Sequence, residues 1–122
     1  MSIERIAAQY IDFVKASKYD ELLNTLYAQD AQSIEPRDNP GGPRVTSGLE
    51  AILQKSKAFD QVHEMHSHSV EGPWPHGEDR FAVRLSFDMT HLPSGYRRQV
   101  DEIAVMIVRD GKIVREEFFY PE

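Results

Sequence analysis

The sequence predicts an α+β domain in which a strongly curved antiparallel sheet wraps around three N-terminal helices. Three observations carry that expectation. Apolar residues recur at steps of three and four up to about residue 59, and from residue 62 to the end the period is two. One short strand, closing in "SIEP" at residues 33 to 36, interrupts the helical half. A sheet curved in this way leaves a pocket between itself and its helices.

The first helix follows from Ile3, Ile6, Ala7, Tyr10, Phe13 and Val14, which share one stripe over residues 3 to 16, with Ser2 as N-cap. A second helix has Leu22, Leu23, Leu26 and Tyr27 as its stripe and Asp20 and Glu21 near its positive N-terminal end. The short strand ends at Glu35, because Pro36 has no backbone donor and opens a loop with further prolines and glycines. Ser47 and Glu50 read as a capping box for a third helix, which Leu49, Ile52, Leu53 and Phe59 continue.

A strand over 62 to 70 comes next, and "GPWPHG", residues 72 to 77, reads as a connection. The clearest strand is 80 to 90, where Phe81, Val83, Leu85, Phe87 and Met89 form a buried face against a wet one. In the strand at 96 to 109 both faces are apolar, Ile103, Val105 and Ile107 opposing Ala104, Met106 and Val108. It is therefore central, or its outer face meets another chain. Asp110-Gly111 makes a hairpin turn into a last strand ending at Phe118, Phe119 and Tyr120.

The length fits one domain spanning residues 1 to 122. With 20 acids against 14 Lys and Arg, the chain lacks the basic face that nucleic acid or an anionic membrane demands. No cysteine is present, which removes disulfides and thiolate chemistry. Glu4 and Arg5 interrupt any apolar leader, and no apolar run approaches the roughly 18 residues of a membrane span, so a cytoplasmic protein is expected.

The order of elements, "LYAQDA" at 26 to 31 leading to a strand that ends in an acid-Pro pair, "SGLEAI" opening the third helix, and "VRDGKIVREEFF" at 108 to 119 resemble the nuclear-transport-factor-2-like superfamily. That superfamily of cone-shaped, cystatin-like α+β barrels includes ketosteroid isomerases and SnoaL-like polyketide cyclases. The resemblance implies three functional positions: Tyr10 in "AQYIDF", Glu35 in "SIEP" and Asp101 in "QVDEIAV". By that likeness Glu35, standing where the isomerases carry Asp, is a base that moves a proton α to a carbonyl. Tyr10 and a neutral Asp101 would hold the enolate oxygen. No cofactor and no metal are implied.

The residues support interest in these positions on their own account. Tyr10 belongs to a buried stripe, so its hydroxyl needs an interior partner or a cavity. Asp101 lies in line with Ile103 and Val105, where burial would raise its pKa. Glu35 sits at a strand end beside a loop, suited to a proton shuttle. Each also has a plain reading: a core-edge tyrosine, a glutamate in water or paired with Arg37, and a satisfied acid near a strand start.

Glu64, His66 and His68 are expected on one strand face, the histidines more as pocket-lining or surface hydrogen-bond donors than as metal ligands. Trp74, on its Pro-flanked loop, is either a lid over an apolar ligand or a cap on the core. Phe87, Ile103 and Phe119 complete the expected substrate wall. Arg37 and Arg44 flank the Pro/Gly loop as a ligand-anion site or as solvated charges.

The functional expectation is a cofactor-independent isomerase or cyclase that transfers a proton next to a carbonyl on a small hydrophobic molecule. A non-catalytic ligand-binding or assembly module is the second reading, and a hydratase or dehydratase using a pocket histidine the third. A homodimer is expected through a sheet face made of Ala104, Met106, Val108, Phe118 and Tyr120.

Overall fold

The Ser2 hydroxyl accepts a hydrogen bond from the Arg5 amide at 3.2 Å, and from this cap helix α1 runs over Ile3–Lys15. The structure, a computed structural model, describes residues 2–39 and 42–121. The centre of the Pro/Gly loop at 40 and 41 lies outside them. Helix α2 (Tyr19–Leu26) stops one residue earlier than its apolar stripe suggests, and Tyr27 opens strand β1 (Tyr27–Ile34). A short strand β2 (Val45–Ser47), not foreseen from the sequence, pairs antiparallel with the end of β1.

Helix α3 (Leu49–Val62) does not begin with the expected capping box. Ser47 is still strand, Gly48 takes the cap position at φ 94°, and its amide donates to the Ala31 carbonyl at 2.7 Å. A side chain there would be strained, since that φ lies in the left-handed region that favours glycine. The chain then runs through β3 (His63–His76), β4 (Arg80–His91), β5 (Tyr96–Arg109) and β6 (Lys112–Phe119). "GPWPHG" is largely strand rather than connection: β3 continues through it with a register slip between Glu71 and Trp74.

The six strands form one sheet in the order β2-β1-β6-β5-β4-β3. The C-terminal meander is antiparallel as expected. The sheet as a whole is mixed, because β1 joins β6 in parallel, pairing Ser33 with Glu116 and Ile34 with Glu117. Strands β2 and β3 are not paired with each other, so the sheet curves without closing.

Register decides which face of each strand is inside. Phe81 pairs with Met106, Val83 with Ala104 and Leu85 with Glu102, and the β4 partners in these pairs are buried. The inner row of β5 is therefore Arg98, Val100, Glu102, Ala104 and Met106. Asp101, Ile103, Val105 and Ile107 are on the outer face. Ala104, Met106, Val108 and Phe118 pack in or against the core with α1 and α2, so they cannot form the outer face assigned to them from the sequence.

Phe81, 1% exposed, sits edge-to-face against Tyr10 with ring centroids 5.7 Å apart. Phe81→Ala is expected to lower stability by about 3–5 kcal/mol, read as a shift in the urea unfolding midpoint with unchanged slope.

Candidate functional site

Between the concave sheet face and the helices lies a cavity of about 570 Å³. Its floor holds Tyr10, Tyr27 and Glu116, and its walls include Glu35, Lys55, Glu102 and Tyr120. Leucines 22, 23 and 85, with Phe59, Phe87 and Phe118, supply most of the apolar lining.

Glu35 follows the last residue of β1, its amide bonded to the Arg44 carbonyl at 2.8 Å. Pro36 then turns the chain out of the sheet. The carboxylate points into the cavity, with a side chain only 14% exposed, and lies 3.1 Å from Lys55 Nζ of α3. The Tyr120 hydroxyl donates to its other oxygen at 3.1 Å. Lys55 also donates to Ser33 Oγ at 3.1 Å, and Ser33 bonds Glu116. Tyr27 donates its hydroxyl to Glu116 as well. One ammonium thus anchors a chain of groups from the pocket wall to its floor.

Glu102 shares this space without an ion pair of its own among the described residues, although the charges of Lys55 and Arg98 act on it. Burial, then the charges of Glu35 and Glu116, push its carboxyl up to about 8, so it is protonated at neutral pH and can donate a hydrogen bond. Burial also raises Glu116, against the hydrogen bonds from Ser33 and Tyr27. Tyr10, 4% exposed, is held well above the ordinary tyrosine value by burial and by Glu116 and Glu102. Its hydroxyl therefore remains a neutral donor. Tyr120 is pushed to about 12 by burial and Glu35.

Of the residues expected from the sequence, Tyr10, Glu35 and Phe87 meet at this cavity. Asp101 does not present its carboxylate there. It is on the outer face, where Arg84 donates to both its oxygens at 2.9 and 2.5 Å, and Ser86 donates to one at 2.9 Å. Those bonds hold it at about 2, the opposite of the raised value expected for a buried row. Ile103, 39% exposed, and Phe119, 49% exposed, are outside for the same reason of register.

Trp74 pairs with Ala82 on the outer face and is neither lid nor core cap. The register slip between Met65 and Ser67 separates the two histidines. His66 turns outward to Thr90 Oγ1 at 2.7 Å, whereas His68 lies under α1, its Nε2 3.1 Å from the Val14 carbonyl oxygen. No histidine lines the cavity among the described residues. The hydratase reading therefore lacks its base.

A family profile described as the SnoaL-like domain matches residues 1–120. The chain belongs to the SnoaL-like family. Within this family it is similar to a Mesorhizobium loti protein described as a candidate SnoaL-like polyketide cyclase. The two are 37% identical with TM-score 0.92, covering 98% of this chain and all of that one. The SnoaL-like fold is also that of an NTF2-like protein from Burkholderia thailandensis, with TM-score 0.84, 14% identity and 99% and 92% coverage. A Xanthomonas campestris protein with a cystatin-like fold matches at TM-score 0.81, 17% identity and 100% and 92% coverage. Among curated proteins none matches. The SnoaL-like chain thus shares its fold with NTF2-like and cystatin-like proteins.

Glu102, Glu116, Lys55, Ser33, Tyr27 and Tyr120 were not among the expected site residues. A signal for Glu102 existed. The turn "LPSG" at 92 to 95 sets His91 opposite Tyr96, and counting back from it places Glu102 beside Leu85, on the inner face.

In a carbon-detected pH titration the Glu102 carboxyl is expected to move near pH 8 and the Asp101 carboxyl near pH 2. Because folded Glu102 keeps its proton above the ordinary 4.5, its contribution to stability falls as pH rises from about 4.5 towards 8. Glu102→Gln is expected to flatten the pH dependence of the unfolding midpoint over that window.

Proposed function

We propose that this SnoaL-like protein is a cofactor-independent isomerase or cyclase that transfers a proton α to a carbonyl on a small hydrophobic molecule. The observation that carries this reading is the pairing, in one apolar cavity, of a carboxylate held by Lys55 and Tyr120 with a second carboxyl kept neutral. Glu35 takes the α-proton, and the C–H electron pair moves to form the enolate. Its oxygen accepts hydrogen bonds from the Glu102 carboxylic acid and the Tyr10 hydroxyl. Glu35 then returns the proton to another carbon. Lys55 offsets the charge that builds up around both groups.

The test is deuterium incorporation at the α-carbon of α-tetralone in deuterated water, followed by NMR. Glu35→Gln is expected to slow exchange by about a hundred- to ten-thousand-fold. The rate falls above about pH 8 as Glu102 loses its proton, and Glu102→Gln, which still donates, removes that alkaline limb. Exchange in Glu35→Gln as fast as in the wild type sinks the assignment.

We also infer a homodimer, through the outer sheet face rather than the row expected from the sequence. Trp74, Ile103 and Phe119 are all at least 39% exposed there. The charges around them include both Arg84 with Asp101 and Arg115 with Glu117, so the face is complementary to a copy of itself. Sedimentation at micromolar concentration is expected to give a dimer and Phe119→Glu a monomer. A wild-type monomer there counts against it.

A further inference from the structure

The inner row of β5 runs from the chemistry to the mouth. Glu102 is followed outward by Val100, opposite Phe87, and then by Arg98, opposite Met89. Arg98 is four positions from Glu102 along the strand, so their backbones are about 13 Å apart with an apolar stretch between them. Arg98 is exposed and lines the cavity. Among the described residues its guanidinium has no hydrogen-bond or ion-pair partner, unlike neighbouring Arg97, which is paired with Asp88 at 2.8 Å.

A second orphan faces the same space from α2. The Tyr19 hydroxyl is buried at the cavity wall and has no hydrogen-bond partner among the described residues. A buried donor left in this condition is satisfied when a ligand brings an acceptor oxygen. Asp60 also lines the cavity, its carboxyl raised by burial and by the charge of Asp20, whereas Arg98, whose charge acts on Glu102, makes no ion pair among the described residues. Of the two cations lining the cavity, Lys55 is paired with Glu35 and Arg98 makes no ion pair among the described residues.

We propose that the pocket takes an elongated apolar monocarboxylate whose carbonyl lies at Glu35 and Glu102 and whose carboxylate reaches Arg98, with Tyr19 donating to an oxygen of the same ligand. This rests on the proton-transfer reading for the placement of the carbonyl. Arg98 and Tyr19 act as specificity residues, the guanidinium giving a charge-assisted bond to the anion.

Calorimetry with an aryl ketone bearing a terminal carboxylate on a saturated chain, its methyl ester, and the corresponding terminal amine tests it. The acid is expected to bind about tenfold more tightly than the ester. Arg98→Gln, at an exposed position, removes that preference, and Tyr19→Phe weakens both probes several-fold. Equal affinity for acid and ester, tighter binding of the amine, an acid preference that survives Arg98→Gln, or binding of none of the probes overturns the proposal. Deuterium exchange at the ketone α-carbon, read on the same samples, separates the two readings. An acid preference without exchange upholds the anion site and removes only the catalytic assignment.

Discussion

Three carboxyl groups, Glu35, Glu102 and Glu116, share one largely apolar enclosure with a single ammonium, that of Lys55. In these low-dielectric surroundings burial raises the carboxyls of Glu102 and Glu116, and the partners of each decide how far that is offset. Glu35 has the ammonium and a tyrosine hydroxyl. Glu116 has Tyr27 and Ser33. Glu102 has neither and therefore keeps a proton at neutral pH. Chemically identical groups are in this way given different electrostatic surroundings by their neighbours alone.

The topology makes that assignment possible. Because β1 runs parallel to β6, Ser33 is set beside Glu116, and the residue after the strand continues along the same inner face. A purely antiparallel sheet has no such pairing between the first strand and the last. Pro36 removes the donor needed to continue the ladder, so the backbone leaves the sheet one residue after placing Glu35 at the wall. Helix α3 packs against β1 and delivers Lys55 to both Ser33 and Glu35. The acid-proline pair is thus an exit sign in the backbone and an aiming device for the side chain.

The sequence was most legible where one physical demand dominated. Strand β4 alternates apolar and polar residues, so its faces were unambiguous, and the stripes of α1 and α2 located Tyr10 and the helical cover. It was least legible where two demands balanced. Strand β5 is apolar on both sides, and periodicity alone gives no preference between its two parities. Only long-range register chooses, and that choice moved Ile103 out of the pocket and brought Glu102 in. The histidines of β3 and Trp74 were displaced by register slips, local defects that leave no mark in hydrophobic alternation. Lys55 and Glu116 were hidden for another reason. A charged residue on a helix or strand ordinarily faces water, and these two are held inward only by partners that lie far away in sequence.

Asp101 and Glu102 show how much rests on parity. They are adjacent, differ by one methylene, and have similar pKa values when free in water. One faces outward into the forked grip of Arg84 and is held at about 2. The other faces inward towards Glu35 and Glu116 and is pushed to about 8. No property of either residue or of its sequence neighbours accounts for the difference, since both lie on the same strand under the same composition. The pleat accounts for it, by turning consecutive side chains to opposite faces, one wet and one enclosed. In a fold where a single curved sheet separates solvent from an enclosed cavity, strand register therefore fixes the electrostatics of the site.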